Sequence, residues 1–318
     1  MYDLKGKNVM VTGASGFTGY HLCNELVKEG ANIIAFVRGS SDINGIKDLN
    51  GVKIVYGDMT DISSIYRAIK YSNTEFVFNC AAVVPVMGAR DIPMNTVAVN
   101  TQGVFNLSWI CSELDVKRIV QISTCHIYGN HPESELPLTE EATPTPEDIY
   151  SSSKFSGEIM LKHFINNGLD AVITRAFNLF GAKQRSEFFI PEVIKQVAEE
   201  KKKELVVGNI TTTRDYTYAP EIVRGYIMAM KMGKVGNIYQ FCSGNEIKMS
   251  ALIDKIIEAL NEVTKQNYQP EIISRNPRKN DINRMYGTYK KAKNEFGWEP
   301  EISLEDGLRK TISETYVG

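Results

Sequence analysis

The chain has 318 residues, 43% of them hydrophobic, enough for a sizeable core in one large domain or in a main domain with an appended lobe. Its 36 Lys and Arg nearly balance 38 Asp and Glu, giving a net charge of −2, which argues against nucleic-acid binding. No long apolar run or signal-like segment marks a membrane partner, and five scattered cysteines lack metal or redox spacing, so a cytoplasmic protein with free thiols and no bound metal is expected.

In chain order, Asn8–Thr12 predicts a short apolar strand. The turn Gly13-Ala-Ser-Gly-Phe-Thr-Gly19 follows, then a helix from about Tyr20 to Glu29. Further strands are predicted at Asn32–Val37, Val52–Tyr56, Glu75–Asn79, Arg118–Ile122 and Ala171–Arg175, with helical patterns between them. They run out respectively at Arg38, at Gly57-Asp58, at Cys80-Ala-Ala82, at Ser123-Thr124 and ahead of Asn178. This alternation predicts an α/β fold, a Rossmann-like doubly wound parallel sheet with helices on both faces. In such a sheet ligands bind beyond the strand C-termini, so the residues after each strand converge on one cleft. From Asn178 the pattern changes, with helices near Pro191–Glu200, Met249–Glu262 and Tyr289–Glu295, a short apolar segment at Leu205–Val207, and a strand at Ile238–Phe241 returning to the sheet. The expected organisation is a dinucleotide-binding domain over 1–175, rejoined by about 222–242, and a smaller C-terminal substrate lobe made of 176–221 and 243–318. The Pro- and Glu-rich segment Pro132–Pro146 is expected as a surface loop.

Gly13, Gly16 and Gly19 follow a strand and open a helix. Such glycines permit a tight turn and close approach of a pyrophosphate, and the helix N-terminus offers that anion free N–H groups and a favourable dipole. Ser15 and Phe17 belong to the same turn and are expected at the cofactor. At the end of the second strand Arg38, with Ser40 and Ser41, suits a ribose 2′-phosphate, which favours NADP over NAD. Asp42, four positions further on, is the alternative ribose ligand and would fit NAD. Asp58 and Met59 are expected at the adenine, with a helix-capping role for Asp58 as the alternative. Ala81, Ile122 and Phe177, near the ends of the fourth, fifth and sixth strands, complete the expected cofactor wall.

Tyr150 and Lys154 are four positions apart, on one face of a helix, and Thr124 lies 26 residues upstream at a strand end. A phenol ionises at about pH 10 in water, and an adjacent ammonium favours the phenolate. Tyr150 is therefore the expected acid–base group, taking a proton from a hydroxyl or giving one to a carbonyl oxygen. Lys154 is also expected to hold the nicotinamide ribose, and Thr124 to offer the same substrate oxygen a second hydroxyl. Asn100, in the segment Val99–Gly103, is expected as a structural amide, with the alternative of holding backbone or water near the site.

Taken together, these residues resemble the extended short-chain dehydrogenase/reductase family, the nucleotide-sugar epimerases, dehydratases and reductases. The resemblance covers nearly the whole chain. It is carried by the Gly13–Gly19 turn, Cys80-Ala-Ala82, Ser123-Thr-Cys-His-Ile-Tyr-Gly129, Tyr150 with Lys154, Arg175-Ala-Phe-Asn178, Thr213-Arg-Asp-Tyr216, Arg278-Lys-Asn-Asp281 and Phe296-Gly-Trp298. The loop around Arg38 and the tail from Arg278 to Trp298 look most like the GDP-mannose 4,6-dehydratase and GDP-4-keto-6-deoxymannose reductase group.

The resemblance implies a nucleoside-diphosphate sugar as substrate and a homodimer, with Val104–Ile110 and Lys154–Phe164 as candidate faces. It implies that Asn178 and Arg214 touch the diphosphate and that Arg278 grips it from the far lobe, with a local Arg214–Asp215 ion pair as the alternative. His126 is expected at the substrate, Phe189 on the base, and Lys183 and Gln184 within reach of the nucleotide. The 4,6-dehydratases carry acidic help just after the catalytic threonine, where this chain has Cys125 and His126. The expected reaction is therefore NADP-dependent reduction of the 4-keto group of a nucleoside-diphosphate deoxyhexose. Epimerisation at C4 is the alternative, followed by 4,6-dehydration with His126 or another group as the base.

Overall fold

The computed structural model describes residues 1–84, 92–275 and 281–316. The first six strands are β1 (Asn8–Thr12), β2 (Asn32–Val37), β3 (Val52–Tyr56), β4 (Phe76–Asn79), β5 (Arg118–Thr124) and β6 (Ala171–Ala176). The remaining strands are β7 (Asn178–Phe180), β8 (Glu204–Val207), β9 (Thr213–Arg214), β10 (Tyr216–Tyr218), β11 (Ile238–Phe241), β12 (Ile247–Lys248), β13 (Glu271–Ser274) and β14 (Arg284–Met285). The helices are α1 (Phe17–Lys28), α2 (Ile62–Tyr71), α3 (Pro93–Val97), α4 (Gly103–Glu113), α5 (Ile149–Asn166), α6 (Phe189–Ile194), α7 (Ala219–Met232), α8 (Met249–Thr264), α9 (Lys290–Phe296) and α10 (Leu304–Tyr316).

Seven strands form one parallel sheet in the order β11-β6-β5-β4-β1-β2-β3. Every residue of β4, β5 and β6 is buried, as expected of strands covered on both faces, whereas the edge strand β3 is only partly covered. One face packs Leu22 and Leu26 of α1 against Ile222 and Tyr226 of α7. The other packs Ile65 of α2, Leu107 of α4 and Leu161 of α5. The strand order reverses between β1 and β4, which places a crevice at their C-terminal ends. The predicted return strand is present: β11 pairs with β6, and α7 before it packs on α1. A separate core of α6, α8 and α10, with Ile190, Leu252 and Ile312, forms beside it.

Element boundaries shift where a turn residue or a ladder outruns the apolar pattern. Helix α1 starts at Phe17 because Gly16 is its N-cap, three residues before the hydrophobic periodicity becomes visible. Strand β5 continues through Ser123 to Thr124, which pairs with Ala176. Between α3 and α4 the chain makes a π-turn at Ala98–Gln102 with Asn100 buried inside it. The Asn100 amide accepts the Val83 N–H at 2.8 Å and donates to the Val83 carbonyl at 2.9 Å and to Ser153 Oγ at 3.0 Å. It therefore fastens the segment after β4 to helix α5, the structural role expected of it.

Helix α5 opens with a capping box, Asp148 accepting the Ser151 N–H. Two turns on, Glu158 is fully buried and takes Arg175 of β6 in a two-pronged pair, Nε at 3.2 Å and Nη2 at 2.7 Å. Removing one partner of such a pair leaves a buried charge uncompensated. Arg175→Leu is expected to cost about 3–5 kcal/mol of stability in urea unfolding, and a loss under about 1 kcal/mol would contradict this account.

Candidate active site

The glycine turn is pressed between β1, α1 and the end of β4. Gly13 has φ +63, and a Cβ on it would lie 2.9 Å from the Ala81 Cα. A Cβ on Gly19 would lie 2.3 Å from the Gly13 carbonyl oxygen, so α1 packs on the turn only without one. Helix α1 has no side-chain cap and no acidic residue in its first turn, which leaves its leading amides for an anion. Ser15, Gly16 and Phe17 line a cleft of about 250 Å³ with Asp42, Asn44 and Lys183. This cradle fits the pyrophosphate of a dinucleotide.

The loop after β2 carries both candidate ribose ligands, Arg38 and Asp42. Arg38 is exposed, and its carbonyl accepts the Ser41 N–H at 3.0 Å to close a turn. Asp42 and Asn44, rather than Arg38, form this loop's part of the cleft wall. One oxygen of Asp58 accepts the N–H and the hydroxyl of Thr60, so this carboxylate ties the turn ahead of α2. Met59 is buried under Gly103, and its carbonyl accepts the Asn106 amide. Phe177 is buried, its ring packed beneath Gly287 among Cys125, Tyr128 and Met285. Packing after the chain leaves the sheet turned this side chain inward.

Thr124, Tyr150 and Lys154 do come together. Thr124 ends β5 and caps the short turn Cys125–Tyr128 by accepting the His126 N–H at 3.2 Å. Burial pushes the Tyr150 phenol well above its usual value, against a hydrogen bond with the Thr124 side chain. Lys154 donates to the Ile122 carbonyl at 2.6 Å. Its ammonium is pushed down to about 8 by burial, opposed by Glu158 and Cys80. The groups acting on the Tyr150 phenol are Thr124, Cys125 and Asp148. The phenol is thus raised chiefly by its burial and bonded to a threonine hydroxyl, while the Lys154 amine is turned to a backbone carbonyl.

The two residues after Thr124 differ sharply. Cys125 is buried with its Sγ 3.3 Å from the Met285 Sδ, and burial pushes its thiol far above the usual value. His126 is half-buried, its ring centre 6.3 Å from that of Tyr150. Burial and the Arg214 guanidinium hold this imidazole below its usual value, opposed by Asp148 and a hydrogen bond with Asn178. His126 therefore neighbours Tyr150, Asn178 and Arg214.

Asn178 donates to the Asp215 carbonyl at 3.1 Å. Arg214 donates to its neighbour Thr213 at 2.7 Å and lies 3.7 Å from Asp281. The alternative Arg214–Asp215 pair does not form, because the buried Asp215 carboxylate accepts the N–H groups of Ser243 at 2.8 Å and Gly244 at 3.0 Å. Burial nevertheless raises it to about 6. Gln184 is occupied by the Leu179 carbonyl, Phe189 sits half-buried at the start of α6, and Arg278 lies outside the described residues. The sequence reading missed Glu158 and Arg175 as charges behind Lys154, and Asn79 and Gln121 as polar groups inside apolar strands. Their one visible signal is a polar residue interrupting a buried run.

The family model described as GDP-mannose 4,6 dehydratase matches residues 10–311. The chain belongs to this family. It is 29% identical over 316 residues to a UDP-glucuronate 4-epimerase of Thermodesulfobacterium geofontis, covering 96% of this chain and 94% of that protein. It is 28% identical over 228 residues to a GDP-6-deoxy-D-mannose reductase of Pseudomonas aeruginosa, covering 70% and 74%. The solved dTDP-glucose 4,6-dehydratase of Bacillus anthracis in complex with NAD superposes with a TM-score of 0.85 at 25% identity, covering 98% and 97%. The protein is thus an enzyme of the nucleotide-sugar epimerase, dehydratase and reductase superfamily that uses a nicotinamide cofactor. Among the described residues no helix is long and apolar enough to cross a membrane, and no His, Cys, Asp and Glu group is built to hold a metal.

The depressed value of Lys154 has a consequence for stability. Between about 8 and the usual lysine value the unfolded chain binds the proton that the folded chain has released, so stability rises with pH across that window. Relative to a Lys154→Met variant, the parent is expected to gain stability from pH 8 to 10, measured by urea unfolding. Parallel pH profiles for the two proteins would contradict it.

Proposed function

We propose that this protein reduces the 4-keto group of a nucleoside-diphosphate-linked deoxyhexose with NADPH. The observation that carries the reading is a buried phenol hydrogen-bonded to Thr124, with no carboxylic acid at the two positions after that threonine. A bound reduced nicotinamide supplies the hydride. Tyr150 gives its proton to the ketone oxygen as the C4 carbon becomes tetrahedral, and the hydroxyl product keeps that proton. Thr124 offers the same oxygen a hydrogen bond while negative charge develops on it. Lys154 would hold the nicotinamide ribose and favour the phenolate left behind. Gly13, Gly16 and Gly19 with Ser15 and Phe17 would hold the cofactor pyrophosphate. Asn178, Arg214, His126 and Phe189 would face the nucleotide sugar. Elimination of water needs a base for C5 and an acid for the leaving oxygen. The sealed Cys125 supplies neither, which leaves His126 alone.

A second reading is favoured by Asp42 on the cleft wall: a 4-epimerase that retains NAD, since a carboxylate there suits a free ribose 2′-hydroxyl. The two readings separate in one assay. Purified protein is mixed with NADPH or NADH and a panel of 4-keto-6-deoxy nucleotide sugars, and nicotinamide absorbance is followed. NADPH oxidation is expected, with Tyr150→Phe slower by about 10²–10⁴-fold. Arg38→Ala should weaken NADP binding and leave NAD binding unchanged. Conversion of a normal nucleotide sugar to its C4 epimer without net cofactor use would replace the first reading by the second.

We also infer a homodimer through helices α4 and α5. Val104, Leu107 and Ile110 belong to the core, while Phe105, Trp109, Ile159 and Met160 are apolar and exposed on those two helices. Sedimentation is expected to give twice the chain mass, and Trp109→Glu with Ile159→Glu to give the monomer. A monomeric parent at tens of micromolar would overturn this.

A further inference from the structure

One wall of the cleft at the glycine turn comes from a distant part of the chain. Lys183, on the loop between β7 and α6, lines it together with Ser15, Gly16, Phe17 and Asp42. The loop is pinned on both sides of this lysine. Ala182 offers only a carbonyl oxygen to the His21 ring at 2.9 Å, so Nε2 of His21, on α1, is the donor. Gly181 lies against the same ring, and a Cβ on it would stand 3.3 Å from that nitrogen. Gln184 donates its side-chain amide to the Leu179 carbonyl at 3.0 Å. Between these fixed neighbours Lys183 has φ +66, a left-handed backbone that a residue with a side chain rarely adopts. Its side chain is exposed, so burial of that side chain does not account for the conformation.

Charge points the same way. Among the described residues the Lys183 ammonium has no ion-pair or hydrogen-bond partner. Among those lining the cleft, Lys183 is the only cation and Asp42 the only carboxylate. A dinucleotide pyrophosphate brings a pair of negative charges, and the dipole of α1 answers them with only about half a positive charge. We propose that Lys183 is the cationic partner of the cofactor pyrophosphate, so that the loop after β7 completes a cradle begun by the glycine turn. A lysine suits this place, as a point charge on a flexible stem that can follow phosphate oxygens. The pyrophosphate is common to NAD and NADP, so Lys183 holds both cofactors, and the choice between them stays with the loop after β2. The same loop runs back to Asn178 of β7, so one segment pinned to α1 by His21 joins the cofactor cleft to that residue. The proposal rests on the glycine turn as the seat of the pyrophosphate and on neither of the two reactions considered above.

The test is a binding titration of the full-length protein, freed of bound nucleotide, with NADH and separately with NADPH, followed by nicotinamide fluorescence. Lys183→Met keeps the stem without the charge and is expected to weaken both cofactors by about tenfold. Lys183→Arg keeps the charge and is expected to stay within about twofold of the parent. The side chain is exposed, so both variants should melt with the parent. Parent-like affinity for both cofactors in Lys183→Met would overturn the proposal. So would a loss confined to NADPH, which would assign the lysine to the 2′-phosphate, or a Lys183→Arg protein as weak as Lys183→Met. Gly16→Asp, which sets a carboxylate at the N-cap of α1, tests the seat itself in the same titration. Unchanged binding there would sink the glycine turn as the seat of the pyrophosphate and the proposal with it. Lost binding there beside an unmoved Lys183→Met would sink the role of Lys183 alone.

Discussion

The pairing of Arg175 with Glu158 is the constraint on which the site depends. Helix α5 carries Tyr150, Lys154 and Glu158 at intervals of four, so all three point the same way, into the sheet. Burying an ammonium and a carboxylate in that interface is tolerable only if each finds a partner. Arg175 meets Glu158 with two donors and reaches Tyr128 Oη at 2.9 Å with a third, while the Ile122 carbonyl meets Lys154. The seat of the helix is therefore set by polar geometry as well as by apolar packing. Tyr150 stands against Thr124 because charges one and two turns away are held in place.

That arrangement gives the phenol a resting state and hence a direction. Burial raises the proton affinity of Tyr150, and the Lys154 ammonium faces a backbone oxygen. A protonated phenol is ready to complete a carbonyl reduction. The oxidative direction first has to move charge toward the phenol, and a positively charged nicotinamide would do so. The same scaffold supports both directions, which is consistent with relatives named as epimerases, dehydratases and a reductase. In the reading proposed above, positions 125 and 126 separate reduction from water elimination. Here one side chain is sealed beneath the site, and the other is an imidazole with lowered proton affinity.

The sequence made the strand ends and the glycine turn legible because local rules encode them. Glycine spacing marks the turn, apolar runs mark buried strands, and whatever follows such a run lies at the C-terminal edge. Thr124, Tyr150 and Lys154 met because those rules were obeyed. The packing of the Phe177 ring was not legible, since the direction of a side chain beyond a strand end depends on what packs over it, here Gly287. The roles of Arg38 and Asp42 were hard to rank for a similar reason, a four-residue loop deciding which one faces the cleft. Lys154 has a further partner in the Ile122 carbonyl that the spacing could not show. Spacing puts its amine near a phenol, and only the fold shows that a carbonyl is closer to hand.

Thr12 of β1, Asn79 of β4 and Gln121 of β5 form one buried polar level across the sheet. Polar groups buried in a sheet are costly unless every one is satisfied. These three are satisfied only when β1, β4 and β5 are neighbours in that order and in that register. A slip of one residue would turn the side chains to the opposite face and strand them all. The polar level therefore penalises wrong pairings of the three strands whose ends form the crevice. Correct pairing also brings Asn79 to Thr12 and to Gln121, whose amide lies on the Ile122 carbonyl that takes Lys154. A sheet assembled in another register would lose these bonds and would not bring the ends of β1, β4 and β5 together at the crevice.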